Sequence, residues 1–178
     1  MKYFVGYLIQ GEAAKWHVDL AKEISQKFNT WKIHENIPPH ITIVYPFDTE
    51  KILPIKDLLR EWAASQPIVG NFALSDFDHF DEHVVFAKVD ADQSVKESVV
   101  DLRSQLKAMP DMPVEDYPDW HPHVTLANKL TPEEIVNIWN YVSVLQKPNF
   151  ILPFDNVTLF YSTGDKGWRV DKFFPLQP

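Results

Sequence analysis

Two short stretches of the sequence place a histidine and a threonine two residues apart, in segments that otherwise have the composition of β-strands. The stretches read "PPHITI" at 38–43 and "HPHVTL" at 121–126. Side chains alternate between the two faces of a strand, so the histidine and the threonine of each stretch share a face. Each stretch is therefore predicted to present one imidazole and one hydroxyl on one face, and aliphatic side chains to the core on the other.

A pair of imidazoles suits acid–base chemistry near neutral pH, because the ordinary pKa of histidine is about 6.5. Of His40 and His123, a neutral ring can take a proton from an attacking water or hydroxyl, while a protonated ring gives its proton to the leaving oxygen. The hydroxyls of Thr42 and Thr125 can donate hydrogen bonds to non-bridging phosphate oxygens. This set predicts in-line cleavage of a phosphodiester, ideally a strained cyclic phosphate, with no metal or other cofactor. The sequence leaves open which histidine is the base and which is the acid.

The pattern indicates function because it occurs twice. A single H-x-T in a strand is common, and one histidine can be an ordinary core residue. Here each histidine directly follows a proline, and the two copies lie 83 residues apart, close to half of the chain. A similar order of elements surrounds both copies, which indicates an internal duplication. We therefore expect two lobes related by a pseudo-twofold axis, with the two motifs facing a shared cleft.

The elements that must position these motifs follow from hydrophobic periodicity. Helices are predicted at 12–28, 54–65, 94–109 and 131–146, the third capped by Ser94 with Glu97 and the fourth by Thr131 with Pro132 and Glu134. Strands are predicted at 2–9, at both motifs, in a hairpin around 81–82 and near the end of the chain. This order predicts an α+β fold: a bilobal, pseudo-twofold duplicated fold with two mainly antiparallel sheets and outer helices around a central cleft. Residues 1–178 are expected to form a single catalytic domain.

Composition narrows the class of protein. With 178 residues, 45% of them hydrophobic, the chain can bury one core. It has no cysteine, which excludes disulfides and thiolate chemistry and suits a cytoplasmic location. No apolar run approaches the ~20 residues of a membrane span. The net charge of −8 argues against a long nucleic-acid groove. We expect a cytoplasmic monomer that does not bind membranes.

The stretches "PPHITI" and "HPHVTL" resemble the paired motifs of the 2H phosphoesterase superfamily, which includes the bacterial 2'-5' RNA ligase-like proteins and the RNA 2',3'-cyclic phosphodiesterases. The resemblance implies a bilobal fold and metal-independent cleavage of the 2',3'-cyclic phosphate of a small nucleotide or an RNA end, usually leaving a 2'-phosphate. It assigns catalysis to His40 and His123, and phosphate binding to Thr42 and Thr125. Alternatives are 2'-5' phosphodiesterase or 2'-5' RNA ligase-like activity, cleavage of an ADP-ribose cyclic phosphate, and a nucleotide-binding module with little turnover.

Further residues near the motifs are candidates for substrate binding. A nucleobase could stack on an aromatic ring, and the candidate rings are Tyr45, Phe47, Trp120 and Tyr161. Trp120 is preferred, because it lies in a loop directly before the second motif. Positive charge at the cleft mouth could come from Lys129, Lys166 or Arg169.

The remaining histidines have simpler interpretations. The stretch "HFDEH" at 79–83 matches a zinc-protease pattern through His79, Glu82 and His83, but that pattern requires a helix and the flanking residues favour strands. We therefore expect a solvated hairpin tip and no metal site. His121 could pair with His123 on a metal, but no further ligands accompany it, and a supporting or strand-start role is favoured. His17 and His34 are expected at the surface.

Overall fold

The computed structural model describes residues 1–80, 83–110, 119–164 and 167–178. The described elements, in chain order, are β1 (Lys2–Leu8), α1 (Gly11–Phe28), α2 (Ile33–Asn36), β2 (His40–Asp48), α3 (Ile52–Ser65), β3 (Asn71–Phe80), β4 (Val84–Ala91), α4 (Gln93–Lys107), β5 (His123–Ala127), α5 (Pro132–Val142), β6 (Phe150–Pro153), β7 (Asn156–Ser162) and β8 (Trp168–Pro175).

The strands form two four-stranded antiparallel sheets. The terminal sheet has the order β2-β1-β7-β8, and the central sheet has the order β5-β4-β3-β6. The predicted α+β class with two antiparallel sheets is confirmed. The sheets do not follow the two halves of the sequence, because β7 and β8 complete the sheet that β1 and β2 begin. The two sheets are therefore interleaved along the chain.

Helices pack on both sheets, and two of them contact the motif strand that lies in the other half of the sequence. Helix α1 packs against β5 of the central sheet, and α4 packs against β2 of the terminal sheet. Helix α3 covers β7 and β8, while α5 covers β3 and β4. Each strand that carries a His-x-Thr motif is consequently supported by a helix that belongs to the other repeat.

The inward face of both motif strands is fully apolar. Ile41 and Ile43 of β2 and Val124 and Leu126 of β5 are all 0% exposed. Burial of an aliphatic side chain of this size contributes about 1.5–3 kcal/mol. The predicted alternation is confirmed, and this burial fixes which face of each strand the histidine and threonine occupy.

Helix α5 begins with the predicted capping box. The Thr131 hydroxyl accepts a hydrogen bond from the Glu134 amide at 3.3 Å, and the Glu134 carboxylate accepts one from the Thr131 amide at 2.7 Å. Pro132 occupies the first helical position, where its missing N–H is not needed. The helix ends at Val142, short of the predicted end at residue 146.

The predicted cap of α4 is wrong. The helix begins at Gln93, with Asp92 before it, so Ser94 already lies in the first turn. The Ser94 hydroxyl donates to the carbonyl of Val69 at 2.7 Å, and Glu97 accepts a hydrogen bond from Gln93. The serine therefore fastens the helix start to the segment before β3.

Strands β3 and β4 form the predicted hairpin, with Phe80 and Val84 as the pair nearest the turn. None of the helices in the described ranges is long and apolar enough to span a membrane.

Candidate active site

The two motif strands are edge strands that meet. β2 lies at one edge of the terminal sheet and β5 lies at one edge of the central sheet, and the two strands are in contact. Each strand begins at its motif histidine, His40 or His123. The topology therefore brings the two predicted catalytic residues to the seam between the sheets.

Both histidines are oriented by the same local hydrogen bond. Nδ1 of His40 lies 2.8 Å from the carbonyl oxygen of Pro38, and Nδ1 of His123 lies 2.8 Å from that of His121. A carbonyl oxygen only accepts hydrogen bonds, so Nδ1 carries the hydrogen in both rings. Nε2 is then the nitrogen left to exchange a proton with a ligand, and in the neutral ring it is a base.

The His40 ring lies against two stacked phenylalanines of the terminal sheet. Its centroid is 4.7 Å from that of Phe4 and 5.4 Å from that of Phe160, and the two phenyl rings stack 4.3 Å apart. Gly6 makes room for them, because a Cβ at this position would lie 3.3 Å from a carbon of each ring and 2.9 Å from the carbonyl oxygen of Ile41. These contacts hold the imidazole in one position.

The His123 ring has corresponding support from the central sheet. Its centroid is 5.0 Å from that of Phe86 and 5.3 Å from that of Phe80, with the latter ring edge-on. Phe86 is buried at 6% exposure, whereas Phe80 is 41% exposed. The second histidine therefore has a more open surrounding than the first.

Burial lowers the pKa of both histidines. For His40 the loss of solvation, together with the charges of His17 and His123, lowers the pKa to about 4, against the opposing effect of the bond to Pro38. Loss of solvation also lowers the pKa of His123, with a further contribution from His121. The dependence of His40 on the charge of His123 is consistent with two rings that lie close together.

The motif threonines lie half-buried on the same faces as the histidines. Thr42 pairs in register with Gly6 of β1, and Thr125 pairs with Phe86 of β4. The position opposite Thr42 has no side chain, and the rings of Phe4 and Phe160 lie beside it.

The backbone of each motif is held by a ring from the other repeat. The indole N–H of Trp120 donates to the carbonyl of Thr42 at 2.9 Å, and Nε2 of His17 lies 2.7 Å from the carbonyl of Thr125. Trp120 precedes the second motif and holds the first, while His17 lies on α1 and holds the second. One bond joins the segment before β5 to β2, and the other joins α1 to β5, both at the level of the threonines.

The predicted surface location of His17 is wrong, because this residue is 2% exposed. Burial lowers its pKa, so the ring is neutral near neutral pH, and its Nδ1 has no hydrogen-bond partner among the described residues. The residue lies four positions after Ala13 and three before Leu20, which places it on the buried face of α1. The surface prediction for His34 is also wrong, since its side chain is only 8% exposed beside Glu35.

The aromatic candidates for substrate binding differ in how far the structure exposes them. Trp120, Tyr45 and Tyr161 are half-buried. Phe47 is a core residue at 3% exposure, packed against Tyr3 with ring centroids 6.3 Å apart. We therefore do not carry Phe47 into the proposed site.

The predicted basic residues have other contacts or lie outside the described ranges. The Lys129 ammonium lies 4.2 Å from the ring centroid of Trp31, a cation–π contact. The Arg169 guanidinium donates to the carbonyls of Asn36 and Trp168 at 3.1 and 2.8 Å. Lys166 lies outside the described residues.

Strands β3 and β4, on either side of residues 81 and 82, pair as predicted for a hairpin, while residues 81 and 82 themselves lie outside the described ranges. His79 lies on β3 with its ring edge-on to Trp139, and His83 Nδ1 lies 3.0 Å from the carbonyl of Leu130. Glu82 lies outside the described residues. Within the ranges that the structure covers, no three histidine, aspartate or glutamate side chains cluster as metal ligands.

Several residues around the two histidines were not identified from the sequence. They are Phe4, Phe160, Phe80, Phe86, Lys88 and His17. Only His17 had a signal in the sequence, its helical spacing from Ala13 and Leu20. The others depend on strand pairing, such as that between Lys88 and His123, which a single sequence does not specify.

Known proteins share this architecture. The structure of TT0787 of Thermus thermophilus superimposes with a TM-score of 0.71 at 19% identity, over 99% of this chain and 98% of that one. The structure of Escherichia coli LigT complexed with 3'-AMP gives a TM-score of 0.58 at 16% identity, over 99% and 98% of the two chains. LigT complexed with NADP+ gives 0.55 at 17% identity, with the same shares of the two chains covered. These likenesses support the fold.

Sequence comparison supports the family. "Putative phosphoesterase GK0864" of Geobacillus kaustophilus is 28% identical over 142 residues, which make up 78% of each chain. The family model of the 2'-5' RNA ligase superfamily matches residues 10–166. The chain therefore belongs to the 2'-5' RNA ligase superfamily, the 2H phosphoesterases.

Proposed function

We propose that this protein is a metal-independent phosphodiesterase that hydrolyses the 2',3'-cyclic phosphate of a nucleotide or RNA end and leaves a 2'-phosphate. The observation that carries the proposal is the matched orientation of His40 and His123. Each ring has Nδ1 bound to the carbonyl two residues before it, which leaves Nε2 for proton transfer. In keeping with the sequence, the proposal is of a cytoplasmic monomer.

The proposed reaction is an in-line attack of water on phosphorus. One Nε2 accepts a proton from the water as its oxygen bonds to phosphorus. The bond from phosphorus to O3' breaks, and the Nε2–H of the other, protonated ring transfers its proton to O3'. The product keeps its phosphate on O2', and the two rings end with their protonation states exchanged.

We assign the base to His40 and the acid to His123. With a pKa lowered to about 4, His40 is neutral over most of the pH range in which proteins function. His123 lies beside the exposed Phe80 ring and has the less enclosed surrounding. An anionic phosphate between the rings favours the protonated form of the acid, because an opposite charge nearby raises a histidine pKa.

The threonine hydroxyls are proposed to bind the phosphate. Thr42 and Thr125 share faces with the two histidines, so hydroxyl donors flank the position where phosphate oxygens gain charge in the transition state. Trp120 and His17 fix the backbone carbonyls of these threonines, which limits the movement of the hydroxyls.

The direct test is incubation with the four nucleoside 2',3'-cyclic monophosphates, with products resolved by phosphate position. Turnover is expected to persist in EDTA. His40→Ala and His123→Ala are each expected to lower kcat by on the order of 10²-fold or more, with the fold preserved by circular dichroism. His83→Ala, at an exposed histidine with a similar backbone contact, is the matched control. Near wild-type turnover in either catalytic variant would reject the mechanism.

A 2'-5' phosphodiesterase or 2'-5' RNA ligase-like activity is the second candidate, and family membership favours it. These activities need the same two proton transfers as hydrolysis of a cyclic phosphate. In a 2'-5' phosphodiesterase the leaving oxygen belongs to a second nucleotide, and in ligation the attacking oxygen does. Assays with 2',5'-linked dinucleotides beside the cyclic monophosphates distinguish the two. Binding of these compounds without any product would instead indicate a nucleotide-binding module.

A further inference from the structure

A pocket of about 270 Å³ lies next to the second motif: it is lined by Pro122, directly before His123, and by Phe80 and Phe86, whose rings contact the His123 ring. Strand pairing places Phe86 next to Thr125 and Lys88 next to His123, so the pocket continues from the second motif. It is smaller than the ~300–1,000 Å³ of a complete small-molecule site, so it fits one part of a ligand.

The walls of the pocket are aromatic where it approaches the motif. They include Phe80, Phe86 and Trp120, and the ring of Phe80 is 41% exposed. An aromatic ring exposed beside a pocket offers a stacking surface, and every nucleobase has a π-face that can use it.

The lysines and carboxylates that line the pocket balance in number, and His121 completes its titratable lining. Lys88 and Lys96 contribute two ammonium groups, and Asp78 and Asp90 contribute two carboxylates. Neither lysine forms a salt bridge with a residue in the described part of the chain. Two carboxylates disfavour a second phosphate, whereas mixed donors and acceptors match the amino, carbonyl and ring-nitrogen groups of a nucleobase.

The first motif has no equivalent exposed phenyl ring among the described residues. Phe4 and Phe160, which contact His40, are 3% and 0% exposed, and the ring of Trp168 packs edge-on to Phe4 at 4.8 Å. The two sheets therefore support their motif histidines similarly, but an exposed phenylalanine ring together with a pocket is found only next to the second motif among the described residues.

We infer that this pocket binds the nucleobase of the substrate, with Phe80 as the stacking ring, so that the nucleoside enters the cleft from the His123 side. This inference rests on the proposed function. It adds that the substrate must carry a nucleobase, whereas hydrolysis of a cyclic phosphate by the two histidines does not itself require one.

The inference is tested by direct binding, which does not depend on turnover. Dissociation constants are measured by calorimetry for adenosine 2'-monophosphate and for ribose 2-phosphate, which lacks the base. Wild-type protein is expected to bind the base-bearing compound on the order of tenfold more tightly, given a stacking contribution of about 1–3 kcal/mol per base.

The ratio of the two dissociation constants measures the contribution of the base. Variants of the pocket show whether that contribution comes from the pocket or from a general change in ligand binding. Phe80→Ala and Lys96→Ala are each expected to reduce the ratio several-fold. Ile151→Ala, at a 64% exposed apolar position on the opposite edge strand, is expected to leave it unchanged. Equal affinities for the two ligands in wild-type protein, or an unchanged ratio in Phe80→Ala, would overturn the inference.

The two proposals fail in different ways. If ribose 2,3-cyclic phosphate is hydrolysed as fast as the cyclic nucleotides, the phosphodiesterase activity is upheld and the base pocket is rejected. Base-dependent binding without hydrolysis of any cyclic phosphate would uphold the pocket and reject the proposed activity. A dinucleotide ending in a 2',3'-cyclic phosphate, compared with the mononucleotide, shows whether the base belongs to an RNA end or to a free nucleotide.

Discussion

Burial of His40 makes the stability of the protein depend on pH in a way that one substitution should remove. The folded-state pKa is lowered to about 4, whereas the pKa in the unfolded chain is about 6.5. As the pH falls, the unfolded state therefore binds the proton first. The contribution of neutral His40 to stability is complete above pH 6.5 and is lost as the pH falls towards 4.

The magnitude follows from the difference between these two pKa values. A difference of about 2.5 corresponds to about 3 kcal/mol when both states are fully protonated, at about 1.36 kcal/mol per unit. At pH 4.5 the loss is about 2–3 kcal/mol, because the folded state has begun to take up the proton. For a domain with a total stability of about 5–15 kcal/mol this loss is readily measured.

The perturbation is His40→Asn, because the asparagine amide can keep a hydrogen bond to the carbonyl of Pro38 but does not titrate. Urea unfolding at pH 7.5 and 4.5 gives the free energy of unfolding of each protein. The wild-type value is expected to fall by about 2–3 kcal/mol more than that of the variant. His83→Asn, at an exposed histidine with a comparable backbone contact, should behave like wild type. An equal fall in wild type and His40→Asn would refute the reasoning.

Three further predictions concern the same site. Trp120→Phe removes the indole N–H that binds the carbonyl of Thr42, so we expect urea unfolding to show a loss of about 1–3 kcal/mol; a loss below about 0.3 kcal/mol would show that the bond is unimportant. His17→Leu leaves the carbonyl of Thr125 without its partner, and we expect a similar loss with a lower kcat, partly restored in His17→Gln, which can still donate; identical behaviour of the two variants would contradict a role for the hydrogen bond. The pH profile of kcat/KM for a 2',3'-cyclic nucleotide should be bell-shaped, with its acid limb near pH 4 from His40 and its maximum below pH 6.5, since the pKa of His123 is also lowered; a maximum above pH 8 would reject this assignment.

Much of the fold was predictable, because the motif strands have a strong period of two. The alternation in "HITI" and "HVTL" correctly placed Ile41, Ile43, Val124 and Leu126 in the core. The capping box at Thr131 was also predictable, since its donors and acceptors are local in sequence. The cap at Ser94 was predicted wrongly, because the hydroxyl binds the distant carbonyl of Val69 instead.

The surroundings of the site were less predictable, because the contacts that form them join residues that are distant in sequence. Phe80 and Phe86 reach His123 through pairing between strands, and Trp120 reaches Thr42 across the seam. These contacts depend on register and on how the sheets meet, which local sequence does not determine. His17 is the exception, because its position on the buried face of α1 could have been read from the helical period.

The interleaving of the two sheets has a consequence for when the proposed active site is completed during synthesis. Phe160, on which the first imidazole rests, belongs to a strand that is made after everything from β1 to β6. A nascent chain can contain both motifs and yet leave His40 without half of its aromatic support. Competence for the proposed proton transfer is therefore expected to be one of the last properties that this polypeptide gains, and truncation before β7 should abolish it although both motifs are present.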